Sequence, residues 1–361
     1  MIGKWHLKND PIGFDYWNIL PGQGLYHNPE FIEMGRRAKH TGYCTDLIAD
    51  FSLAWLKRRD PAKPFFLMCH HKAPHRPWEP DARHARMYED ADIPEPDNLY
   101  DDYSHRSHAA ANTKMRVGDD NSKTDLKVDR PAGLDGRALR KWGYQLYIKD
   151  YLRCVASVDD NVGRLLDYLD AEKLADNTLV VYTSDQGFFL GDHGYYDKRF
   201  MYEESLRMPF LARLPGRVAA GSVNRDIVLN IDFAPTFLDL AGKPTPPEMQ
   251  GRSFRAILGG KTPRDWRTSM YYRYWMHLAD HNVPAHYGVR THRHKLIYYY
   301  GKALGSAGAI DTDTTPEWEL FDLEKDPLEM NNVYADPAYA KVVRTLKAAL
   351  ETHRRFYRDT A

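Results

Sequence analysis

The stretch SDQGFFLGDHGYYDKR (184–199) sets a carboxylate, an amide oxygen and a distant lysine on one glycine-punctuated segment, directly after the β-rich run Leu179–Thr183. Asp185 and Gln186 offer two oxygen ligands where a buried strand ends. Hard cations take oxygen ligands, whereas zinc in hydrolases usually takes histidine. If a metal binds here, Gln186 in place of histidine favours Ca²⁺ over Zn²⁺, with Mg²⁺ the weaker candidate. A plain Asx-type turn accounts for the same two residues, and at this level both readings stand. Gly187, Gly191 and Gly194 permit the tight path that would return Lys198 over the strand edge. An ammonium beside a metal suits an anionic group held between two positive charges; a solvated surface lysine is the alternative.

Two further stretches carry acid–base chemistry. In GKWHL (3–7), Lys4 and His6 fall on one side of an extended segment, a fixed cation next to a titratable imidazole. His75 is framed by Pro74 and Pro77, which stiffen its backbone, and is a second proton-transfer candidate. With 16 histidines in the chain, each taken singly reads as ordinary. His70, His71 and His75 do not make a zinc site, because the spacing supplies no fourth ligand.

These residues need a scaffold. Leu47, Ile48, Phe51, Ala54 and Trp55 recur at helical spacing and predict a helix over 45–59, ended by Pro61 and Pro64. Phe65–Cys69 is a short continuous apolar run, consistent with a buried strand. The prolines of HHKAPHRPWEP (70–80) make it a loop. Residues 104–140 are polar and read as a long excursion or lid. A stripe of Tyr151, Val155, Val158, Val162, Leu165, Leu166 and Leu169 predicts a second long helix, followed by the strand Leu179–Thr183. Strand, loop, helix, strand is the order of an α/β protein with a mainly parallel sheet sandwiched by helices. Ligands of such sheets sit beyond the carboxyl ends of the strands, where HHKAPH and SDQG both fall. After about residue 260, SMYYRYW, YGVRT and KLIYYYG suggest a smaller antiparallel sheet, with a final helix over 337–357 capped by Asp336. We place the boundary near Lys261–Arg264, giving an α/β domain over 1–262 and an α+β subdomain over 263–361.

Composition narrows the field. Lys+Arg and Asp+Glu number 50 each in 361 residues, which argues against a nucleic-acid binder. No apolar run approaches a membrane span of about 18 residues. Met1–His6 lacks the apolar core of a secretory leader, so localisation is not read from the chain. Cys44, Cys69 and Cys154 form neither a disulfide framework nor a C-x-x-C knuckle and read as core thiols. The 24 tyrosines and 8 tryptophans suit a carbohydrate ligand and equally suit a core.

Taken together, GKWHL (3–7), KAPHRPW (72–78), SDQGFFLGDHGYYDKR (184–199) with YEES (202–205), and WELFDLEKDPLEMNN (318–332) resemble the sulfatase family of alkaline-phosphatase-like hydrolases, in order and spacing over nearly the whole chain. DKRFMYEES and YGVRT look most like the bacterial N-acetylglucosamine-6-sulfatase branch, which acts on glycosaminoglycan sugars. The resemblance implies that Asp185 and Gln186 are Ca²⁺ ligands and that Lys4 and Lys198 grip the sulfate. It implies that His75 protonates the leaving sugar oxygen and that His6 serves the nucleophile. Asp197 and Arg199 would contact sugar hydroxyls, and His286 and Arg290 would reach the same pocket. Family members work mostly in the periplasm, outside the cell or in lysosomes.

One departure is large. Sulfatases use a formylglycine made within a C/S-x-P-S/A-R motif, and no cysteine or serine of this chain stands in one. Two early aspartate ligands also lack counterparts. Family members carry these parts ahead of G-K-W-H, which begins here at residue 3. The expectation is therefore the carboxyl-terminal part of a sulfatase, inactive alone, with the formylglycine outside these residues. The rivals are a phosphodiesterase or phosphonate hydrolase of the same superfamily, against which Gln186 speaks, and a non-catalytic sugar-sulfate binder.

Overall fold

A computed structural model describes residues 1–359, which form two compact units, Met1–Glu95 with Asn121–Ala175, and Pro96–Asp120 with Asp176 onward. This division differs from a single boundary near Lys261–Arg264, because residues 96–120 and 176–262 group with the carboxyl-terminal sheet.

The first unit is built on a five-stranded sheet: β1 (Ile2–Trp5), β2 (Asn18–Pro21), β3 (Glu30–Glu33), β4 (Arg36–Lys39) and β5 (Cys69–His70), in the order β4-β3-β2-β1-β5. The sheet is mixed rather than mainly parallel. β1 runs parallel to β2 and β5, β3 adds antiparallel to β2, and β4 antiparallel to β3. A two-residue turn explains the reversal: Met34 and Gly35 have φ of 44° and 85°, the left-handed pair that matches strand twist in a tight hairpin. Helix α1 (Cys44–Arg58) covers one face, where Cys44 and Ile48 close on Ile2, Leu20 and Phe31. Met1, Trp17 and Ile19 form the core of a second cluster. The long helix α2 (Gly136–Ala171) packs on α1, with Asn161 Nδ2 donating to Asp46 Oδ1 at 2.7 Å. Of the run 65–69, only Cys69 and its neighbour His70 enter the ladder, while Met68 accepts from Ile2 N at 2.9 Å.

The second unit holds β6 (Val180–Thr183), β7 (Phe189–Leu190), β8 (Tyr196–Asp197) and β9 (Phe210–Arg213), paired as β6–β9 and β7–β8. A four-stranded antiparallel sheet follows, β10 (Ser269–Tyr274), β11 (His286–Thr291), β12 (His294–Tyr299) and β13 (Glu317–Asp322), in sequential order. The short helix α3 (Glu203–Leu206) lies between β8 and β9 in sequence. The terminal helix α4 (Ala340–Phe356) lays Leu346 and Leu350 on Val289, Leu296 and Leu320, after a turn capped by Asp336. Among the described residues, no helix is long and apolar enough to cross a membrane.

The 104–140 excursion is not a free lid. Within the second unit, Val117 N donates to Gly194 O at 2.8 Å and Tyr196 N to Met115 O at 3.0 Å, tying the segment to the β7–β8 hairpin. Within the first, Ser122 and Asp125 form a capping box and Asp125 takes the Arg76 guanidinium. Its polar residues are spent on caps and ion pairs.

Helix α3 is bolted to the carboxyl-terminal sheet by charge. Glu203 accepts from Arg290 Nη2 at 2.9 Å and lies 2.9 Å from Lys295 Nζ, which is fully buried and 2.7 Å from Glu329. Burial opposes ionisation of Glu203, but Lys295 and Arg290 win and hold its carboxyl down at about 2. A depressed carboxyl stabilises the fold above its unfolded value near 4.5 and loses that contribution as pH falls toward 2. The size is on the order of 3 kcal/mol, partly offset by Glu329, whose carboxyl burial pushes up. Thermal melts should therefore drop more steeply between pH 4.5 and 2 for the native chain than for Glu203→Gln. Parallel profiles would remove this role.

Candidate active site

In the first unit, β1 and β5 are parallel neighbours, with Gly3 opposite His70, so their carboxyl ends share one sheet edge. Lys4 lies near that end of β1, with Nζ donating to Gln23 Oε1 at 2.8 Å. His6 follows on the exposed side of the strand end. Gly3 has φ of 107°, and a Cβ there would stand 2.0 Å from the His70 carbonyl oxygen. Only glycine lets the two strands close up beside Lys4.

The loop after β5 carries His75 and is held from several sides. Tyr26 Oη donates to the His75 carbonyl at 2.6 Å, Trp78 Nε1 to Pro74 O at 2.7 Å, and Arg76 Nε to Asp125 Oδ1 at 2.9 Å. His75 Nδ1 faces the Arg76 carbonyl at 2.7 Å. A carbonyl only accepts, so Nδ1 carries hydrogen, and a proton exchanged by this ring would pass through Nε2. His71 is different: burial pushes its imidazole down to about 4, which makes it a neutral core group.

In the second unit, Asp185 and Gln186 sit exposed just beyond β6, where Ser184 Oγ donates to the Gln186 carbonyl at 2.8 Å. Helix α3 brings the two ends of the 184–199 stretch together. Gly187 N donates to Ser205 O at 3.0 Å, and Arg199 N to Ser205 Oγ at 3.3 Å. A Cβ on Gly187 would lie 2.1 Å from the Glu204 carbonyl oxygen. Gly187→Ala must therefore push α3 away, and we expect a loss of roughly 1–3 kcal/mol or more, seen as a lower melting temperature. An unchanged melt would show that α3 has slack.

Asp197, Lys198 and Arg199 form a charged knot. Asp197 is 2 % exposed; its Oδ1 lies 3.1 Å from Lys198 Nζ, and its Oδ2 lies 2.9 Å from His281 Nε2. Burial works against the Asp197 carboxylate, yet His281, Lys198 and Arg199 hold the carboxyl far below the usual range. Arg199 Nη2 also meets Asp280 Oδ2 at 3.2 Å. Lys198 lies with Nζ 5.6 Å from the centre of the Phe188 ring. Sequence reasoning did not single out Asp280, His281 or Ser205. Ser205 stood inside a quoted motif, whereas Asp280 and His281 lie in an ordinary polar turn with no periodic signal.

Two expected sugar contacts are corrected. His286 is fully buried among Phe200, Tyr272, Tyr274 and Tyr299, with Nδ1 on the Pro284 carbonyl at 2.8 Å. Burial pushes its imidazole down to about 4, so it stands here as a neutral core residue and not as an exposed sugar contact. Arg290 gives its guanidinium to Glu203 from both Nε and Nη2, and so braces α3. The WELFDLEKDPLEMNN stretch is a brace as well. Asp322 takes Arg293 at 2.8 and 2.9 Å, and Asn332 bonds Trp318 and Leu320 of β13.

Asp185 and Gln186 suit calcium in donor type but not in number. Among the described residues, no group of three or more His, Cys, Asp or Glu is arranged to hold a metal ion, against the 6–8 oxygens calcium takes. These residues alone do not form a calcium site, and no step below is routed through a metal.

A mixed sheet with helices packed on it and a small antiparallel sheet with a terminal helix make the fold of the alkaline-phosphatase-like class. The sulfatase family model matches residues 1–243, and the model for the carboxyl-terminal part of N-sulphoglucosamine sulphohydrolase matches 191–355. The chain belongs to the sulfatase family. It is 43% identical to an N-acetylglucosamine-6-O-sulfatase of Bacteroides thetaiotaomicron, over 99% of this chain and 70% of that one. It is 30% identical to the N-acetylglucosamine-6-sulfatase of Bos taurus, over 74% of this chain and 46%, under half, of that one. A solved structure of a protein with its substrate D-glucosamine-2-N,6-O-disulfate superposes with a TM-score of 0.92 at 42% identity, covering 99% of this chain and 79% of that one.

Proposed function

We propose that the chain serves the hydrolysis of a 6-O-sulfate ester on a glucosamine-type sugar of glycosaminoglycan origin. The observation that carries this reading is the Asp197–Lys198–Arg199 knot. A buried, ionised carboxylate and a guanidinium flank a lysine on a loop fixed by Ser205. Lysine offers a compact cation for a sulfate oxygen, while carboxylate and guanidinium together accept from and donate to vicinal sugar hydroxyls. The similarity to glucosamine-6-sulfatases supports the same assignment.

In this reading Lys4 and Lys198 take up the negative charge on the transferred sulfuryl group. His75 protonates the sugar oxygen as the S–O bond breaks, using Nε2 while Nδ1 stays on the Arg76 carbonyl. His6, exposed at the end of β1, hands protons to and from the nucleophile's oxygen. If calcium takes part, Asp185 and Gln186 would offer it two oxygens, and among the described residues no group of three or more His, Cys, Asp or Glu is arranged to complete the set. In the family the attacking oxygen comes from a formylglycine, and these 361 residues hold no C/S-x-P-S/A-R motif. The alternatives of a phosphorus-ester hydrolase and of a bare sugar-sulfate binder have no observation of their own to favour them.

The test is positional. The protein purified from its native host should release inorganic sulfate from N-acetylglucosamine 6-sulfate, but not from the 3-sulfate or from an N-sulfate. Release from the N-sulfate in preference would overturn the assignment.

A further inference from the structure

Lys198 has a non-glycine residue in the left-handed region on either side: Asp197 at φ 72° and Arg199 at φ 117°. Such backbone is costly and persists where its surroundings over-determine it. The turn between β10 and β11 does this with two adjacent residues. Asp280 Oδ2 meets Arg199 Nη2 at 3.2 Å, and His281 Nε2 meets Asp197 Oδ2 at 2.9 Å. We infer that Asp280 and His281 are positioning residues that clamp Asp197 and Arg199 in their sugar-reading geometry, with His281 carrying a proton on each ring nitrogen. This rests on the reading that Asp197 and Arg199 contact the sugar.

The protonation follows from acceptors. His281 Nδ1 faces the Lys114 carbonyl at 2.9 Å, and a carbonyl only accepts. Nε2 faces a carboxylate that its neighbours keep ionised, and that also only accepts. Two acceptors require two N–H groups, so His281 is an imidazolium. Its turn is anchored independently: Lys114 N donates to the His281 carbonyl at 2.7 Å, Thr113 Oγ1 to the same oxygen at 2.9 Å, and Asn282 Nδ2 to Asn112 O at 3.0 Å. The Tyr196 ring stands edge-on at 5.4 Å. The charges around the ring are the Asp197 carboxylate, the Lys198 and Arg199 cations beyond it, Asp280 next in the chain, and the exposed Lys114 ammonium on the facing segment. When His281 loses a proton, one of its two bonds must break: either Asp197 loses its donor or the ring leaves Lys114. The doubly bonded ring thus accompanies the sugar-reading geometry of Asp197.

Two readouts test this. In the full chain labelled with ¹⁵N-histidine, the His281 signals, identified by their loss in His281→Gln, should show both ring nitrogens bonded to hydrogen at pH 6. A bare nitrogen at that pH overturns the clamp. In protein expressed in its native host, His281→Gln should raise KM for N-acetylglucosamine 6-sulfate by about 10-fold with kcat held within about twofold. An aryl sulfate should not register this change. Asp280→Asn should likewise raise KM for the sugar alone. Equal losses on both substrates would overturn the positioning role. If the native protein cleaves no sulfated sugar, the proposed function fails, while the nitrogen signals still judge the clamp.

Discussion

Lys198→Ala is expected to lower turnover of a small aryl sulfate by about 100-fold or more, whereas Arg199→Ala leaves that turnover nearly unchanged. Both side chains sit in one knot, so the contrast depends on what each touches. Lys198 has Asp197 Oδ1 at 3.1 Å and little exposure; Asp197 orients the ammonium and stays ionised beside it. In the proposed reading, a cation held in this way would meet the charge that grows on the sulfuryl oxygens as the ester breaks. Its loss therefore appears in kcat. Arg199 is held by Asp280 and carries a guanidinium shaped for paired hydroxyls, which an aryl sulfate lacks. On the sugar sulfate, Arg199→Ala should raise KM instead. Equal kcat losses for both variants on the aryl ester would show the roles to be wrongly divided.

His75→Ala should separate substrates by their leaving groups. A sugar alkoxide is a poor leaving group and needs its proton as the bond breaks, so the expected loss on N-acetylglucosamine 6-sulfate is roughly 10²–10⁴-fold. A nitrophenyl sulfate leaves as a stable anion and should lose far less. The loop around His75 is fixed from several sides. Tyr26 fixes its carbonyl, Arg76 and Trp78 anchor the loop around it, and the Arg76 carbonyl holds hydrogen on Nδ1. A uniform loss across leaving groups would remove His75 as the acid and leave it a part of the scaffold.

Much of this was legible in the residues. The stripes behind α1 and α2 follow the helical period, and the aromatic runs after residue 260 alternate as antiparallel strands do. What escaped was set by tertiary pairing. The β3–β4 hairpin turns on Met34 at positive φ, a residue with no turn signature, and β4 is exposed throughout, so no alternation marks it. Residues 96–120 join the second unit through backbone bonds to the β7–β8 hairpin, and backbone bonds leave no trace in side-chain pattern. The motif residues stand out in the sequence because their chemistry is local: Asp185, Gln186 and Lys198 announce themselves by type and glycine spacing. His286 and Arg290 were assigned from the neighbouring motif. Strand period put them on one face, and that face meets Phe200, Tyr299 and Glu203. His281 is the reverse case, a polar turn residue whose importance lies in a partner 84 positions away.

The most direct test of a sulfuric ester hydrolase is to count its products. The protein purified from its native host is incubated with N-acetylglucosamine 6-sulfate and, separately, with a phosphate diester and a phenylphosphonate ester, and the inorganic sulfate and the alcohol or phenol released are measured. The account predicts sulfate release well above either phosphorus-ester cleavage, and its loss in Lys198→Ala. Phosphorus-ester cleavage exceeding sulfate release, or sulfate release that survives Lys198→Ala, would contradict it.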